Sequence, residues 1–195
     1  MSASIEIVEP RAGWAAEFGA IAERLADVFG GLALRIEHIG STSVAGLAAK
    51  DVIDVQVTVA SLDLPGIGET LTAAGFPPRD GLWGAEGYWE DHRPAGASER
   101  PDDWVKRYAR GAPGQRRSHI HIRRAGAENE RYARLFRDYL RANPPAAATY
   151  GEIKRELAAR HADDVDAYYA VKDPVCDLII QAAELWAVAT GWDRR

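Results

Sequence analysis

The segment Val52-Ile53-Asp54-Val55-Gln56-Val57-Thr58-Val59 constrains the fold more than any other stretch of the chain. Side chains alternate sides along a strand, so Ile53, Val55, Val57 and Val59 form a continuous apolar face while Asp54, Gln56 and Thr58 form the opposite one. The apolar face has to be covered by other elements. The polar face predicts an open sheet surface with something bound at its carboxylate. Upstream, Leu34, Ile36 and His38 alternate with Arg35, Glu37 and Ile39 in a strand that delivers Gly40-Ser41-Thr42-Ser43. Gly40 permits close backbone approach, and the amides and hydroxyls of Ser41, Thr42 and Ser43 offer a concave set of donors for an anion. The same four residues also suit a tight turn with a Ser/Thr cap. His38 shares the apolar parity of Leu34 and Ile36 and is expected to be a hydrogen-bonded core histidine.

A further strand, 118–124, sets Ile120 and Ile122 against His119, His121 and Arg123. Strands with apolar backs and polar fronts predict a mixed, mainly antiparallel α/β sheet with helices on one face and a cleft on the other. Asp54, Gln56, His119 and His121 would stand on the polar front. Residues two apart on a strand are about 7 Å apart and project to one side, so both imidazoles can converge with Asp54 on one ion. Exposed or hydrogen-bonded histidines and acid–base groups are equally compatible with the pattern.

Elsewhere, Ile5 and Ile7 before Pro10 suggest a short first strand, and Trp14, Phe18, Ile21, Leu25 and Phe29 a helix stopped by Gly30-Gly31. A helix is expected over 65–74, and short strands over 88–92 and 105–110. From Tyr132 onward the pattern turns helical. One helix ends before Asn143-Pro144-Pro145, and a second is marked by Tyr150, Ile153 and Leu157. Asp173 and Pro174 read as the cap and first residue of a third, with Leu178, Ile179, Ala182, Leu185 and Trp186 as its buried face.

The length of 195 residues suits one domain, with a sheet core over 1–125 and a helical part over 126–195. A net charge of -5 argues against nucleic acid or an anionic membrane as partner through the whole-molecule field. The single cysteine, Cys176, and the start Met1-Ser-Ala-Ser-Ile-Glu read as cytoplasmic, and no run reaches the roughly 18–20 apolar residues of a membrane span.

Several separated motifs resemble the GrpB family in kind and order. They are Glu37-His38-Ile39-Gly40-Ser41-Thr42-Ser43-Val44, Ile53-Asp54, His119-Ile120-His121, Phe136-Arg137-Asp138-Tyr139-Leu140-Arg141, and Tyr168 with Lys172. The resemblance runs from about Ile5 to Leu185. That family belongs to the nucleotidyltransferase-fold superfamily and also occurs fused behind the kinase domain of some bacterial dephospho-CoA kinases. The resemblance implies a nucleotidyltransferase-like sheet with a C-terminal helical subdomain closing the cleft. It further implies a bound nucleoside triphosphate, a divalent metal and nucleotidyl transfer to a small acceptor. A non-catalytic nucleotide-binding or accessory module and a mononuclear metal-dependent hydrolase are the alternatives.

Carried onto this chain, the resemblance makes Asp54 the first acid and catalytic residue, whereas the second acid position holds Gln56 and the later strand offers His119 and His121. The metal, Mg²⁺, Mn²⁺ or Zn²⁺, would be held by Asp54, His119 and His121, with imidazole favouring ions other than Mg²⁺. Gly40, Ser41, Thr42 and Ser43 would hold phosphate. Arg137, within a basic ridge of Arg134, Arg137 and Arg141, and Lys154 and Lys172 on later helices would neutralise the phosphate tail. Trp83, Tyr88 and Trp89 offer walls for an acceptor pocket or for the core. Ala45 and Asp51 stand where the family tends to have proline and should loosen the first loop.

Overall fold

Alternation along the strand that carries Asp54 sorts the molecule into a dry side and a polar side. The computed structural model describes residues 4–192. Its sheet has strands β1 (Ala33–Ile39), β2 (Ile53–Val59), β3 (Tyr88–Glu90), β4 (Val105–Arg110) and β5 (Ser118–Arg124), in the order β1-β2-β5-β4-β3. Only the β2–β5 pair is parallel. The fold is the expected mixed, mostly antiparallel α/β sheet. On its dry side Val55, Val57, Val59, Ile120 and Ile122 are fully buried. They join Leu25 and Phe29 of α1 (Trp14–Phe29), Leu71 of α2 (Ile67–Ala73) and Phe76 in one core. Each such side chain contributes about 1.5–3 kcal/mol by leaving water, so this face fixes the register of the sheet.

Register then decides what shares the other side. Asp54 lies opposite His119 and Gln56 opposite His121. His119 in turn faces Arg110, and His121 faces Tyr108. Directly paired residues project to the same side of a sheet, so these six groups stand together on the polar front. The helix α3 (Glu128–Ala142) crosses that front at one end. There the Glu130 carbonyl accepts from Gln56 Nε2 at 3.2 Å, and its carboxylate takes Arg35 at 2.7 Å and Arg134 at 2.9 Å. The Gln56–Thr58 end of the front is thereby covered and the Asp54–His119 end stays open. Helices α4 (Pro144–Arg160) and α5 (Val165–Thr190) complete the rim. Among the described residues no helix is long and apolar enough to cross a membrane.

Three expectations need correction. Ile5 and Ile7 form no strand: the segment makes an isolated bridge, Val8 with Ala49, and Ile5 donates to the Ala162 carbonyl at 2.7 Å. The last helix starts nine residues earlier than expected, because Asp164 caps it by accepting from the Ala167 amide at 2.9 Å, and it continues through Pro174. Its buried face is therefore Tyr168, Cys176, Ile180, Ala183 and Ala187, while Leu178 is 66% and Leu185 75% exposed. The small Ala183 and Ala187 let α5 pack closely on the fully buried Leu135 of α3, which larger side chains on that face would prevent.

This packing predicts opposite outcomes for two leucines. Leu135→Ala should cost about 2–5 kcal/mol in urea unfolding, and Leu185→Gln less than about 0.5 kcal/mol.

Candidate functional site

A cavity of about 660 Å³ opens on the uncovered end of the polar front, bounded by the Gly40 turn, α4, α5 and the β3–β4 edge. At its floor His119 Nδ1 lies 3.2 Å and His121 Nε2 3.7 Å from the same oxygen, Oδ1 of Asp54. One ligand atom from each residue can be chosen so that all three lie within 4.8 Å of one another. Two donors about 2.0–2.2 Å from a single tetrahedral ion lie roughly 3.3–3.6 Å apart. The two spacings to Asp54 are close to this, and the parity of two strands brings the carboxylate and both imidazoles together as expected. Burial alone would push the Asp54 carboxyl up, but hydrogen bonds and charge from His119 and His121 outweigh it and hold it well below the usual carboxylate range.

The surroundings of His121 are cationic. Lys106 Nζ donates to its Nδ1 at 3.0 Å, and Arg123 lies 3.4 Å away. Burial first, then the Lys106 ammonium, lower its pKa to about 3, so the ring is neutral and its proton sits on Nε2, toward Asp54. For Nε2 to ligate an ion that proton has to move to Nδ1, beside an ammonium where metal-binding histidines usually find an acceptor. Lys106 would then turn wholly to Asp91, to which it already donates.

The second acid position is closed to metal. Gln56 is fully buried, and besides the Glu130 carbonyl it binds Arg123, whose Nη1 donates to its Oε1 at 2.7 Å. A further cleft carboxylate, Asp91, was missed by sequence reasoning. It takes Arg123 Nε at 2.9 Å, Asn129 Nδ2 at 3.1 Å and the Lys106 ammonium. Burial would raise its pKa, but Arg123 and Lys106 hold it far below the ordinary value. Its only signal was the alternation Lys106-Tyr108-Arg110, which puts cations opposite the histidine strand.

The turn above Asp54 is glycine by necessity. Gly40 has φ +69° and ψ −176°, and a Cβ there would stand 2.4 Å from Asp54 Oδ2. Ser41 Oγ accepts from Lys154 Nζ at 2.8 Å and lines the cavity. The other two hydroxyls serve the turn itself. Thr42 Oγ1 bonds His38 Nε2 at 2.9 Å and donates to the Val52 carbonyl at 3.2 Å, and Ser43 Oγ donates to the Gly40 carbonyl at 2.6 Å. His38 is the core histidine anticipated, stacked on Phe18 with centroids 4.7 Å apart and lowered to about 4 chiefly by burial.

The basic residues divide. Lys154 is buried, also donates to the Ala48 carbonyl at 2.5 Å, and is brought down to about 7 by burial and then by Lys172. Lys172 lines the same cavity and is paired with Asp173 at 3.2 Å. Arg137, expected at the phosphate tail, is not among the cavity-lining residues. Its guanidinium donates to Glu37 at 3.2 Å, the His38 carbonyl at 3.1 Å and Asp138 at 2.7 Å, clamping α3 to the end of β1. Arg141 similarly holds the Ser43 carbonyl at 2.8 Å. The ridge supports the turn from behind because the residues facing it are carbonyls and carboxylates.

Of the three aromatics singled out, only Trp89 lines the cavity; Trp83 packs on the core and Tyr88 on Arg107. The first loop is also not loosened at Asp51, whose carboxylate accepts from Trp14 Nε1 at 2.7 Å and from Arg11 and Arg116 at 2.6 Å each.

The family model described as GrpB protein matches residues 4–182. The chain belongs to the GrpB family. The dephospho-CoA kinase of Mycolicibacterium paratuberculosis is 38% identical over 200 residues, covering 97% of this chain and 48% of the relative. The UPF0157 protein YqkA of Bacillus subtilis is 33% identical over 183 residues, 93% of this chain and 48% of that one. This GrpB chain thus spans about half the length of these curated relatives. The crystal structure of the conserved protein GrpB from Enterococcus faecalis superposes with a TM-score of 0.75 at 31% identity, over 93% of this chain and 99% of that one.

Gly40→Ala and Gly46→Ala separate strain from crowding at the turn. Both positions have positive φ, but a Cβ at Gly46 meets nothing within 4 Å. Each substitution should cost about 1–3 kcal/mol of backbone strain. Only Gly40→Ala should add a further loss by displacing Asp54, and only it should weaken binding of Mn²⁺ in a calorimetric titration.

Proposed function

We propose that the cleft binds a nucleoside triphosphate with a single divalent cation and transfers its nucleotidyl group to a small acceptor. The observation that carries this reading is the convergence of His119 and His121 on Asp54 Oδ1 immediately beneath the Gly40 turn. The cavity's charge supports it. Seven Lys and Arg residues line it against four Asp and Glu, in a chain whose net charge is -5. Tyr169, exposed and 5.2 Å from the Lys172 ammonium, stands on the side of Lys154 and Lys172, where a base can stack next to a phosphate tail.

In this reading Asp54, His119 and His121 hold the cation, which supplies neutralisation of phosphate charge when bound. Ser41, with Gly40, positions the phosphates, and Lys154 and Lys172 offset the charge of the tail. Catalysis is then positioning of the acceptor hydroxyl in line with the α-phosphorus and stabilisation of the departing pyrophosphate. With Gln56 and Asp91 both engaged, the residues suit one ion and not two. The cationic surroundings of His121 favour an ion that arrives with the nucleotide over a resident one. The imidazoles favour Mn²⁺ or Zn²⁺ over Mg²⁺.

One observation favours the accessory reading: the buried Gln56–Arg123 pair leaves Asp54 as the single acid of the superfamily pattern in the site. Calorimetry with ATP and Mn²⁺ tests binding, and pyrophosphate release in the presence of small hydroxyl acceptors tests transfer. Wild-type protein should bind ATP at least ~10-fold more tightly with Mn²⁺, a difference of about 1.4 kcal/mol. Asp54→Asn should lose that dependence while unfolding within about 1 kcal/mol of wild type, the scale of a partly exposed ion pair. ATP affinity independent of Mn²⁺ in the wild type would remove the metal from the account, and binding without pyrophosphate release would leave the accessory module.

Lys154 yields a pH prediction. Its free pKa of about 7 rises when a phosphate pairs with it, so metal-free ATP should take up close to one proton on binding at about pH 8 and almost none at pH 6. Lys154→Arg, charged at both values, should take up none. Calorimetry in buffers of different ionisation enthalpy reads this number directly.

A further inference from the structure

The cavity has a second wing, on the side of Asp54 away from the Gly40 turn. Because the strand order is β1-β2-β5-β4-β3, the Asp54 strand separates the turn and Lys154 from the β4 edge. On that edge Tyr108 faces His121 and Arg110 faces His119, on the polar side of the sheet. Trp89, opposite Lys106, continues the wall, and Arg79 lies over it. The guanidinium carbons of Arg79 and Arg110 stand 5.6 Å and 5.4 Å from the Tyr108 ring centroid, and Arg79 stands 4.2 Å from that of Trp89. A guanidinium stacked on a ring keeps its N–H edge free for in-plane bonds to an oxyanion.

Of the cleft's other cations, Lys50 and Lys154 bind neutral oxygens, of Tyr169 and of Ser41 and Ala48. Lys106 and Arg123 are neutralised by Asp91, and Lys172 by Asp173. Arg110 is exposed and, among the described residues, makes no ion pair with a carboxylate. Arg79 is paired with its exposed neighbour Asp80, whose Oδ2 lies 3.3 Å from the buried Nε without making a hydrogen bond to it. Trp89 Nε1, in the same wall, is buried and has no hydrogen-bond partner. Buried donors without acceptors are uncommon in folded proteins. Such a donor at Trp89, beside the Arg110 guanidinium that no carboxylate neutralises and an Arg79 paired only weakly, in one wall of a charged cavity, points to a ligand that supplies acceptors.

We propose that Arg79, Trp89, Tyr108 and Arg110 form a second subsite, for a small molecule bearing a carboxylate or phosphate group. Resting on the reading of the cleft given above, this molecule is the acceptor, held on the opposite side of Asp54 from the triphosphate tail. The anionic group anchors it and leaves its remainder directed toward Asp54 and His119.

Phenyl phosphate, benzoate and neutral benzamide are suitable probes, since they share a ring and differ in charge. Titrated calorimetrically into the full chain, at least one anion should bind ten-fold or more tightly than benzamide, and whichever does so identifies phosphate or carboxylate as the anchor. Arg79→Gln and Arg110→Gln should each weaken that anion about ten-fold without lowering the melting temperature, and should leave the affinity for Mn²⁺-ATP unchanged. With Mn²⁺ and a non-hydrolysable triphosphate saturating, the anion should still bind. Equal affinity for all three probes, anion binding insensitive to both substitutions, or its displacement by the triphosphate would each overturn the second subsite. The two readings fail separately: arginine-dependent anion binding without Mn²⁺-ATP binding keeps the subsite and removes the nucleotide. The reverse pattern keeps the nucleotide and removes the subsite.

Discussion

Asp54 can converge with two histidines because the chain passing over it, at Gly40, has no Cβ. A methyl group there would overlap Oδ2. The turn carrying Ser41 and the carboxylate on the next strand are therefore one unit, set by the β1–β2 pairing of Ile39 with Asp54. Parallel pairing of β2 with β5 adds both imidazoles from the neighbouring strand at matching heights. Arg137 and Arg141 fasten the unit to α3 through the His38 and Ser43 carbonyls, and Thr42 fastens it to His38 and to β2. The geometry of the cleft thus depends on contacts made at its rear.

The polar front divides into a closed half and an open half. In the closed half Gln56, Arg123, Asp91, Lys106 and the Asn129 amide nitrogen are joined by hydrogen bonds under the first turn of α3. A network of this kind holds its members in place and takes Asp91 out of competition for an ion. The open half contains Asp54, His119, Ser41, Arg110 of β4 and Arg79, which lies over Trp89 and Tyr108. The contrast between them accounts for a site suited to one cation, where a pair of free acids would have suited two.

Much of this was legible from residue order. Alternation identified β1, β2 and β5, and parity put Asp54, His119 and His121 on one side and His38 on the other. What was not legible depended on opposing surfaces. The spacing of Arg134, Arg137 and Arg141 defines a helix face, yet only the structure shows that Glu37 and two carbonyls stand in front of it. Pro174 resembled a helix start, and the true cap at Asp164 was hidden because the continuous helix tolerates a proline in its interior. Asp91 lies just past a three-residue strand in a Gly- and Pro-rich stretch, too short for periodicity to register. The open hydroxyls expected of Thr42 and Ser43 are consumed by the tightness of the turn itself.

The central claim is that one ion is held jointly by Asp54, His119 and His121. X-ray absorption at the zinc edge of the protein loaded with one equivalent of Zn²⁺ and a non-hydrolysable triphosphate tests it most directly, because imidazole rings leave a multiple-scattering signature that carboxylates, phosphates and water do not. The account predicts a shell at about 2.0–2.1 Å with two imidazoles per zinc, reduced to one in either His119→Ala or His121→Ala. A shell of oxygen alone, or an imidazole count unchanged by both substitutions, would contradict it.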